Sequence, residues 1–379
     1  MAASRKRVTR RAFLAVAAAA GRLIAQTPAR NAAPNPGSRT FPSDAKRFAD
    51  AATELVVFRL TDPSYGSFLP ANYSRAVTRN GASLLFACDR LGPLQAFRMD
   101  LKTGEMQQLT ETDELDPESL TFTPDNRAFC YFAGRTLRMA LASGLRDREI
   151  YTVPEGWTRC AGMSVGADGT HATFAERSGD RSRLRMVSLA QGSARTVIEQ
   201  PFAIEHPQPR PNRAQTLYRQ GDTGLWLVNS DGRDNRQLKL APGRVADPKW
   251  ADDGRTLQYL NLPNEPKELH AIRDFTPDTS TDKLVAKTSQ FASFSANHDT
   301  SVFVGASANS ASPDVLLLLR VTRRELTICE HRATRPEAVC PIFSPDSQRV
   351  YFQSDREGKS AIYSMHVERL VERTEVSAA

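Results

Sequence analysis

One turn signal recurs along most of the chain at a nearly constant interval. A short apolar run is followed by Pro-Asp, Asp-Gly or a related turn, and then by a second run with alternating apolar residues. Pro, Asp, Gly and Asn suit such turns because they fix φ, bond to nearby backbone or accept positive φ. The turns are spaced 41 to 47 residues apart and fall at positions 81, 126, 169, 213, 254, 300 and 347. A strand-filled period of this length predicts an all-β fold, a seven-bladed β-propeller with one four-stranded blade per repeat.

The last repeat is shorter than the others and has room for about three strands before Leu370. The apolar segment 54–60 precedes the first repeat, and we expect it to supply the missing strand to the blade built from residues 340–367. Such closure would pair a sheet edge that is otherwise exposed. We therefore assign residues 46–370 to one propeller domain, because each blade buries its faces against its neighbours. Residues 371–379 are expected to be a disordered tail.

Residues 1–25 have the composition of an export signal. They hold six basic and no acidic residues, with a short and mildly apolar stretch after the charged start. Arg10 and Arg11, within the run Thr-Arg-Arg-Ala-Phe-Leu, resemble a bacterial twin-arginine signal. The alternative is a basic start that is simply disordered. The export interpretation predicts a periplasmic or secreted protein, with residues 26–45 as a flexible linker.

The charge distribution argues against nucleic acid as a partner. The full chain carries a formal net charge of +7, but without residues 1–25 this falls to +1. A nearly neutral domain lacks the basic surface that nucleic-acid binding requires. No apolar run reaches the ~18–20 residues of a membrane-spanning helix, so we expect no membrane span.

The common sequence motifs of catalysis and metal binding are absent or out of context. The five cysteines are an odd number without a Cys-x-x-Cys pair, and the six histidines form no His-x-His or His-Glu-x-x-His pattern. Residues 162–166 match the Gly-x-Ser-x-Gly pattern of a nucleophilic serine, centred on Ser164. That motif needs a strand–turn–helix context, and here it lies in a predicted blade strand.

His206 stands out from the other histidines by its context. It lies in the segment 204–211, at the start of a predicted inner strand, and inner strands line the central channel of a propeller. Arg210 follows four residues later and would share a face with His206 on a regular strand. The pair would place a potential base beside a potential clamp for a carboxylate. The alternative for each of these histidines is a structural role, either at the surface or in packing between blades.

Several stretches resemble the oligogalacturonate lyase family, seven-bladed propeller enzymes of pectin breakdown. The similarity spans roughly residues 55–367 and is carried by residues 84–111, 206–211, 225–232, 343–346 and 354–363. The Pro-Asp turns are shared with other propellers, TolB-type ones among them. The blade that contains His206 and the Asp-Arg-Glu-Gly-Lys-Ser-Ala-Ile-Tyr run near the end are more specific.

The resemblance implies a reaction and roles for two residues. The family performs β-elimination on galacturonate, in which a histidine removes the proton at C5 and the bond from C4 to the glycosidic oxygen breaks. His206 falls on the position of this base, and Arg210 falls on an arginine of the same motif, which we assign to substrate binding. The implied partner is an acidic oligosaccharide, an oligogalacturonide.

The metal site of the family does not carry over. The resemblance implies a manganese ion held by three histidines and a glutamine, which neutralises the substrate carboxylate. The family's metal-binding positions, and a further family histidine, fall here on Asp247, Ser293, Arg335, Ala338 and Cys340. A hard carboxylate mixed with a soft thiol is a poor manganese site, so we predict no metal cofactor. A guanidinium, Arg335 or Arg210, would be a substitute for its charge.

Two functions remain open at this point. The first is a lyase of acidic oligosaccharides that works without the family metal. The second is a non-catalytic, TolB-like periplasmic propeller that binds a ligand or a protein partner. The retained histidine favours the first function, and the altered metal positions favour the second.

Overall fold

The computed structural model describes residues 39–221, 224–265, 267–368 and 370. The predicted signal, the linker up to residue 38 and the predicted tail therefore lie outside the described residues. The described chain forms seven antiparallel sheets in a propeller arrangement, as the repeat predicted. Its described helices are two 3₁₀ turns, Pro117–Ser119 and Pro336–Ala338. No helix in this part of the chain is long and apolar enough to cross a membrane.

The strands follow the chain blade by blade, with the first strand of each blade innermost. Three strands precede the first blade: β1 (Thr40–Phe41), β2 (Lys46–Ala49) and β3 (Val56–Arg59). Blades one and two contain β4 (Ser67–Phe68), β5 (Ser83–Cys88), β6 (Gln95–Asp100), β7 (Met106–Gln108), β8 (Thr121–Phe122), β9 (Ala128–Ala133), β10 (Thr136–Leu141) and β11 (Asp147–Thr152).

The next two blades have the same order. Blade three contains β12 (Thr158–Val165), β13 (His171–Ser178), β14 (Arg181–Ser188) and β15 (Ala194–Gln200). Blade four contains β16 (Glu205–Pro209), β17 (Gln215–Gln220), β18 (Gly224–Asn229) and β19 (Arg236–Gln237).

The last three blades complete the propeller. Blade five contains β20 (Arg244–Trp250), β21 (Leu257–Leu262), β22 (Ala271–Thr276) and β23 (Thr281–Lys287). Blade six contains β24 (Phe291–Ala296), β25 (Val302–Ser307), β26 (Asp314–Leu319) and β27 (Arg324–Glu330). Blade seven contains β28 (Ile342–Phe343), β29 (Arg349–Ser354) and β30 (Ala361–His366).

The turn positions read from the sequence are backbone positions that need a left-handed conformation. A residue with φ between 57° and 70° occurs at 81, 126, 169, 212, 254, 300 and 347. The fourth turn is centred on Asn212 instead of the predicted position 213, and the other six agree. Asparagine and glycine accept positive φ at little cost, which explains why the turn signal was readable.

The predicted closure of the ring is confirmed. Strand β3 pairs antiparallel with β30, so that Phe58 lies opposite Ser364 and Arg59 opposite Tyr363. The N-terminal region adds more than the sequence indicated. Strand β2 pairs with β3 as a fifth strand of blade seven, and β1 pairs with β7 as a fifth strand of blade one. The predicted linker, residues 26–45, thus overlaps a strand at positions 40 and 41.

The apolar core lies between neighbouring blades. Phe132 of blade two and Phe174 of blade three, for example, meet edge to face with ring centroids 5.0 Å apart, and both are fully buried. Burial of one such side chain contributes roughly 1.5–3 kcal/mol. All five cysteines are free thiols, three of them buried in this packing.

Candidate active site

His206 lies on the inner strand of blade four, at an irregular point of the backbone. The ladder between β16 and β17 shifts register between Glu205 and Gln208, and His206 has a φ of 46°. Pro207 follows it directly. A histidine in the left-handed region is uncommon and costs of order 1 kcal/mol, so the surrounding structure must hold it there.

The same left-handed backbone conformation before a proline recurs in blades five and seven. Asp247 on β20 has a φ of 46° and precedes Pro248, and Cys340 has a φ of 47° and precedes Pro341. All three left-handed residues line one cavity of about 470 Å³, to which blades one, two, four, five and seven contribute. Backbone outliers of this kind cluster at functional sites. Their convergence on one cavity identifies it as the candidate site.

Tyr73 fixes the orientation of the His206 ring. Its hydroxyl lies 3.0 Å from Nδ1, and among the described residues this is the ring's only hydrogen bond. Gly162 on β12 makes the contact possible. A Cβ there would lie 2.6 Å from the Cα of His206 and 2.7 Å from the Tyr73 hydroxyl. Gly162, the first glycine of the apparent nucleophile motif, thus leaves the space that His206 and Tyr73 occupy. Ser164 of the same motif lies in a strand, and its Oγ is buried.

The surroundings keep His206 uncharged. Burial, together with the positive charge of Arg219, lowers its pKa from 6.5 to about 4 against an opposing contribution from Asp116. Burial also raises the pKa of the Tyr73 hydroxyl far above its usual range. At neutral pH the site therefore presents a neutral imidazole, which can accept a proton, beside a protonated phenol.

Arg210 is not part of this cavity, contrary to the expectation that it would lie near His206. Its guanidinium is almost fully buried between blades and forms a bidentate ion pair with Asp278, at 2.8 and 3.0 Å. Its Nε donates to the carbonyl of Gly254. The irregularity after Glu205 breaks the strand alternation on which the shared face depended. The contacts of Arg210 describe a structural anchor, and they offer no clamp for a ligand in the His206 cavity.

Arg219 is the cation that the sequence reasoning missed. It lies on β17 opposite Glu205, lines the cavity, and acts on the pKa of both His206 and Asp247. It donates to the carbonyls of Gly221 and Val245 at 3.2 Å. The signal was available in the hairpin register, because the residue opposite Glu205 on the next strand must lie beside His206.

Four of the five positions implied for the family metal line this cavity, namely Asp247, Arg335, Ala338 and Cys340, but their donors do not fit manganese. The Asp247 carboxylate accepts a hydrogen bond from the backbone of Phe294, and burial raises its pKa to about 6. The Cys340 thiol has a pKa raised to about 12 by burial and donates weakly to Pro70. Ala338 has no ligating side chain, and the described residues contain no group of three or more His, Cys, Asp or Glu that could hold an ion.

Arg335 lines the cavity, whereas Ser293 is not among its lining residues. The Arg335 side chain is mostly exposed, and its Nε donates to Glu337 at 3.0 Å. Ser293 is buried, and its hydroxyl donates to the carbonyl of Pro336. Manganese prefers carboxylate, carbonyl, water and imidazole ligands, so one carboxylate beside a neutral thiol and a guanidinium is no substitute for the family's set.

Known proteins that are similar to this chain over most of its length include oligogalacturonate lyases. The family model described as oligogalacturonate lyase matches residues 38–180. The oligogalacturonide lyase of Pectobacterium atrosepticum is 25% identical over 369 residues, which cover 83% of this chain and 94% of that protein. The oligogalacturonate lyase of Dickeya dadantii is 24% identical with the same coverage.

Solved structures agree on the fold. An oligogalacturonate lyase in complex with manganese superimposes with a TM-score of 0.82 at 23% identity, covering 87% of this chain and 97% of that one. Matches to the Tol-Pal system protein TolB of Xanthomonas oryzae reach 36% identity but cover only 24% of the chain. The fold and site define a seven-bladed propeller with a histidine-containing channel cavity. Along most of its length the chain is similar to oligogalacturonate lyases, in agreement with the resemblance that the sequence indicated.

Proposed function

We propose that this protein is a lyase that cleaves galacturonate oligosaccharides by β-elimination, with His206 as the proton acceptor. The observation that carries the proposal is the neutral imidazole of His206, held by Tyr73 in the channel cavity beside Arg219. The relatives named above, which align over most of the chain, are lyases of this substrate class. The TolB-like alternative has support over only a quarter of the chain.

The reaction requires three things of the protein: a proton acceptor, a proton donor for the leaving oxygen and stabilisation of the developing charge. His206 takes the proton from C5 at Nε2, and the electrons of the broken C5–H bond form the C4–C5 double bond as the bond from C4 to the glycosidic oxygen breaks. This requires the tautomer in which Nδ1–H donates to the Tyr73 oxygen. The leaving oxygen must then receive a proton, and the protonated Tyr73 hydroxyl is the donor nearest to the base.

The third requirement is stabilisation of the charge that develops on the substrate carboxylate. Preorganised positive charge in a water-poor cavity is the usual means of supplying it. We assign this role to Arg219, because it lines the cavity and its charge already acts on His206. The donors at the family's metal positions do not fit manganese, so no step is assigned to a metal. The exposed Arg335 guanidinium is a second cation at the cavity.

The test is the release of the unsaturated uronate from digalacturonate, followed by its ultraviolet absorbance. We expect the wild-type protein to form this product and the His206→Ala variant to lose roughly 10²–10⁴-fold in rate, the usual contribution of a general base. His366→Ala is the matched control, because His366 is exposed on β30 and lies outside the cavity. An unchanged rate in His206→Ala would refute the assignment of the base. A wild-type protein that forms no product would favour the non-catalytic propeller.

We also propose that residues 1–25 direct export of the folded protein to the periplasm. The support is the basic excess confined to these residues and the Arg10–Arg11 pair. Replacement of both arginines by lysine keeps the charge and should leave the protein in the cytoplasm, as fractionation would measure. Normal periplasmic appearance of that variant would contradict the twin-arginine interpretation.

A further inference from the structure

A smaller cavity of about 180 Å³ adjoins the His206 cavity. It shares Tyr73 and Gln208 with the His206 cavity, and Arg75, Ser164 and Lys249 also line it. The lining residues come from the inner parts of blades one to five. The proposed elimination reaction uses none of the groups that are specific to this cavity.

Two half-buried cations in this cavity, Arg75 and Lys249, form no ion pair within the described chain. No hydrogen bond or ion pair within the described chain involves the ammonium group of Lys249. Within the same residues, the guanidinium of Arg75 donates hydrogen bonds only to the carbonyls of Val165 and Gly166, at 3.3 and 3.4 Å. Burial lowers the pKa of both groups, and the charge of Arg75 lowers the pKa of Lys249 further. Buried charges are costly unless an opposite charge compensates them.

The acidic groups around the cavity do not supply that compensation. Asp252 also lines the cavity, but it is exposed and its carboxylate accepts a hydrogen bond from His298 at 2.7 Å. The charge of Asp252 raises the pKa of both cations without forming an ion pair with either, Asp168 and Cys340 act more weakly, and Arg79 adds a third positive charge near Arg75. The balance of charge facing the cavity is therefore positive.

Two hydroxyl groups beside the cations are also unsatisfied. Ser164 is only 9% exposed and its Oγ has no hydrogen-bond partner in the described chain, and the Oγ of Ser74 is in the same state. Both serines line the cavity. Most buried polar groups in native proteins have a partner, so an orphaned pair beside two unpaired cations indicates a missing acceptor, such as a bound ion.

We propose that this cavity binds a small inorganic anion, held by Arg75 and Lys249 with the hydroxyls of Ser74 and Ser164 as donors. A hydroxyl reaches the cavity by rotation about χ1, and hydrogen bonds to a charged acceptor are the strong class. The bound anion links blades one, three and five across the channel. The proposed anion site adjoins the His206 cavity and does not depend on the proposed reaction.

The test is thermal unfolding at fixed pH and ionic strength while sodium gluconate is replaced by sodium chloride or by sodium phosphate. Gluconate provides the same charge on a bulkier ion. We expect a saturable rise of roughly 2–5 °C in Tm with at least one of the two small anions, because a ligand of the native state stabilises it. The difference between chloride and phosphate identifies the preferred ion.

Three variants decide the interpretation. Lys249→Met should raise Tm in gluconate, because it removes an unpaired cation, and should abolish the rise with the small anion. Ser164→Ala should retain the fold and weaken the apparent Kd about 10-fold. Lys239→Met, at an exposed lysine, should behave like the wild type. No anion-specific rise in the wild type, or an equal rise in Lys249→Met, would overturn the proposal.

Discussion

The two sides of the channel cavity share one backbone feature, a left-handed residue before a proline, but differ in their side chains. On one side His206 adopts a left-handed conformation before Pro207, and on the other side Asp247 and Cys340 do so before Pro248 and Pro341. The His206 side retains the groups that proton abstraction needs. The Asp247–Cys340 side retains the positions of a metal site without its ligands.

This contrast shows that backbone geometry and side-chain chemistry can change separately. The left-handed residues are imposed by the inner-strand irregularities of the blades, where the register shifts at Glu205 and again at Ala246. Such a position aims whichever side chain occupies it into the cavity. A substitution there alters the chemistry of the site and leaves the scaffold as it was.

The largest effect is expected on the His206 side, from Gly162→Ala. Gly162 has a φ of 82°, and the added methyl group would overlap the backbone of His206. We expect a loss of about 2–4 kcal/mol in unfolding free energy from strain and overlap together. Displacement of the base should also reduce the lyase rate about 10²-fold. Urea denaturation and the uronate assay measure the two effects.

Gly156→Ala separates the two causes. Gly156 has a similar φ of 77°, but nothing lies within 4 Å of the added Cβ. This variant should show the strain alone, about 1–2 kcal/mol, with an unchanged lyase rate. Equal rates in the two variants would show that Gly162 does not position His206.

A smaller effect of opposite sign is expected on the other side, from Asp247→Asn. Burial raises the carboxyl pKa from 3.8 to about 6, so the folded state binds more protons than the unfolded state between these values. The native carboxyl therefore loses stability as pH rises from about 4 to about 6. Asparagine avoids this loss and can still accept the hydrogen bond from Phe294.

The resulting gain in Asp247→Asn should be about 2–3 kcal/mol above pH 6 and vanish below pH 4. Chemical denaturation across this range would measure it. Asp231→Asn, at an exposed carboxylate, should show no such pH dependence. A gain that is constant with pH would mean that the Asp247 carboxyl is not the cause.

The fold was readable from the sequence because its turns need unusual backbone conformations that few residues accept. Gly81, Asn126 and Gly254 marked their positions in advance for this reason. The ring closure followed from the missing strand of the last blade. The extra strands β1 and β2 gave no comparable signal, since they are short and lie at sheet edges.

The site was readable only in part, because its geometry depends on local departures from regular strands. His206 was placed in the cavity by its position on an inner strand. Arg210 was misplaced because the register shift at Glu205 breaks strand periodicity, and no residue pattern announced that shift. Tyr73 was missed because it lies 133 residues from His206 and meets it only through the closed ring.

In the proposed reaction His206 accepts the proton, and no metal ion bound at Asp247 and Cys340 takes part. The most direct measurement is the rate of uronate formation by the wild-type protein after exhaustive chelation, and again after addition of manganese. We expect the same rate in both conditions, because the donors of Asp247 and Cys340 do not fit the ion. A rate that collapses on chelation and returns with manganese would contradict it.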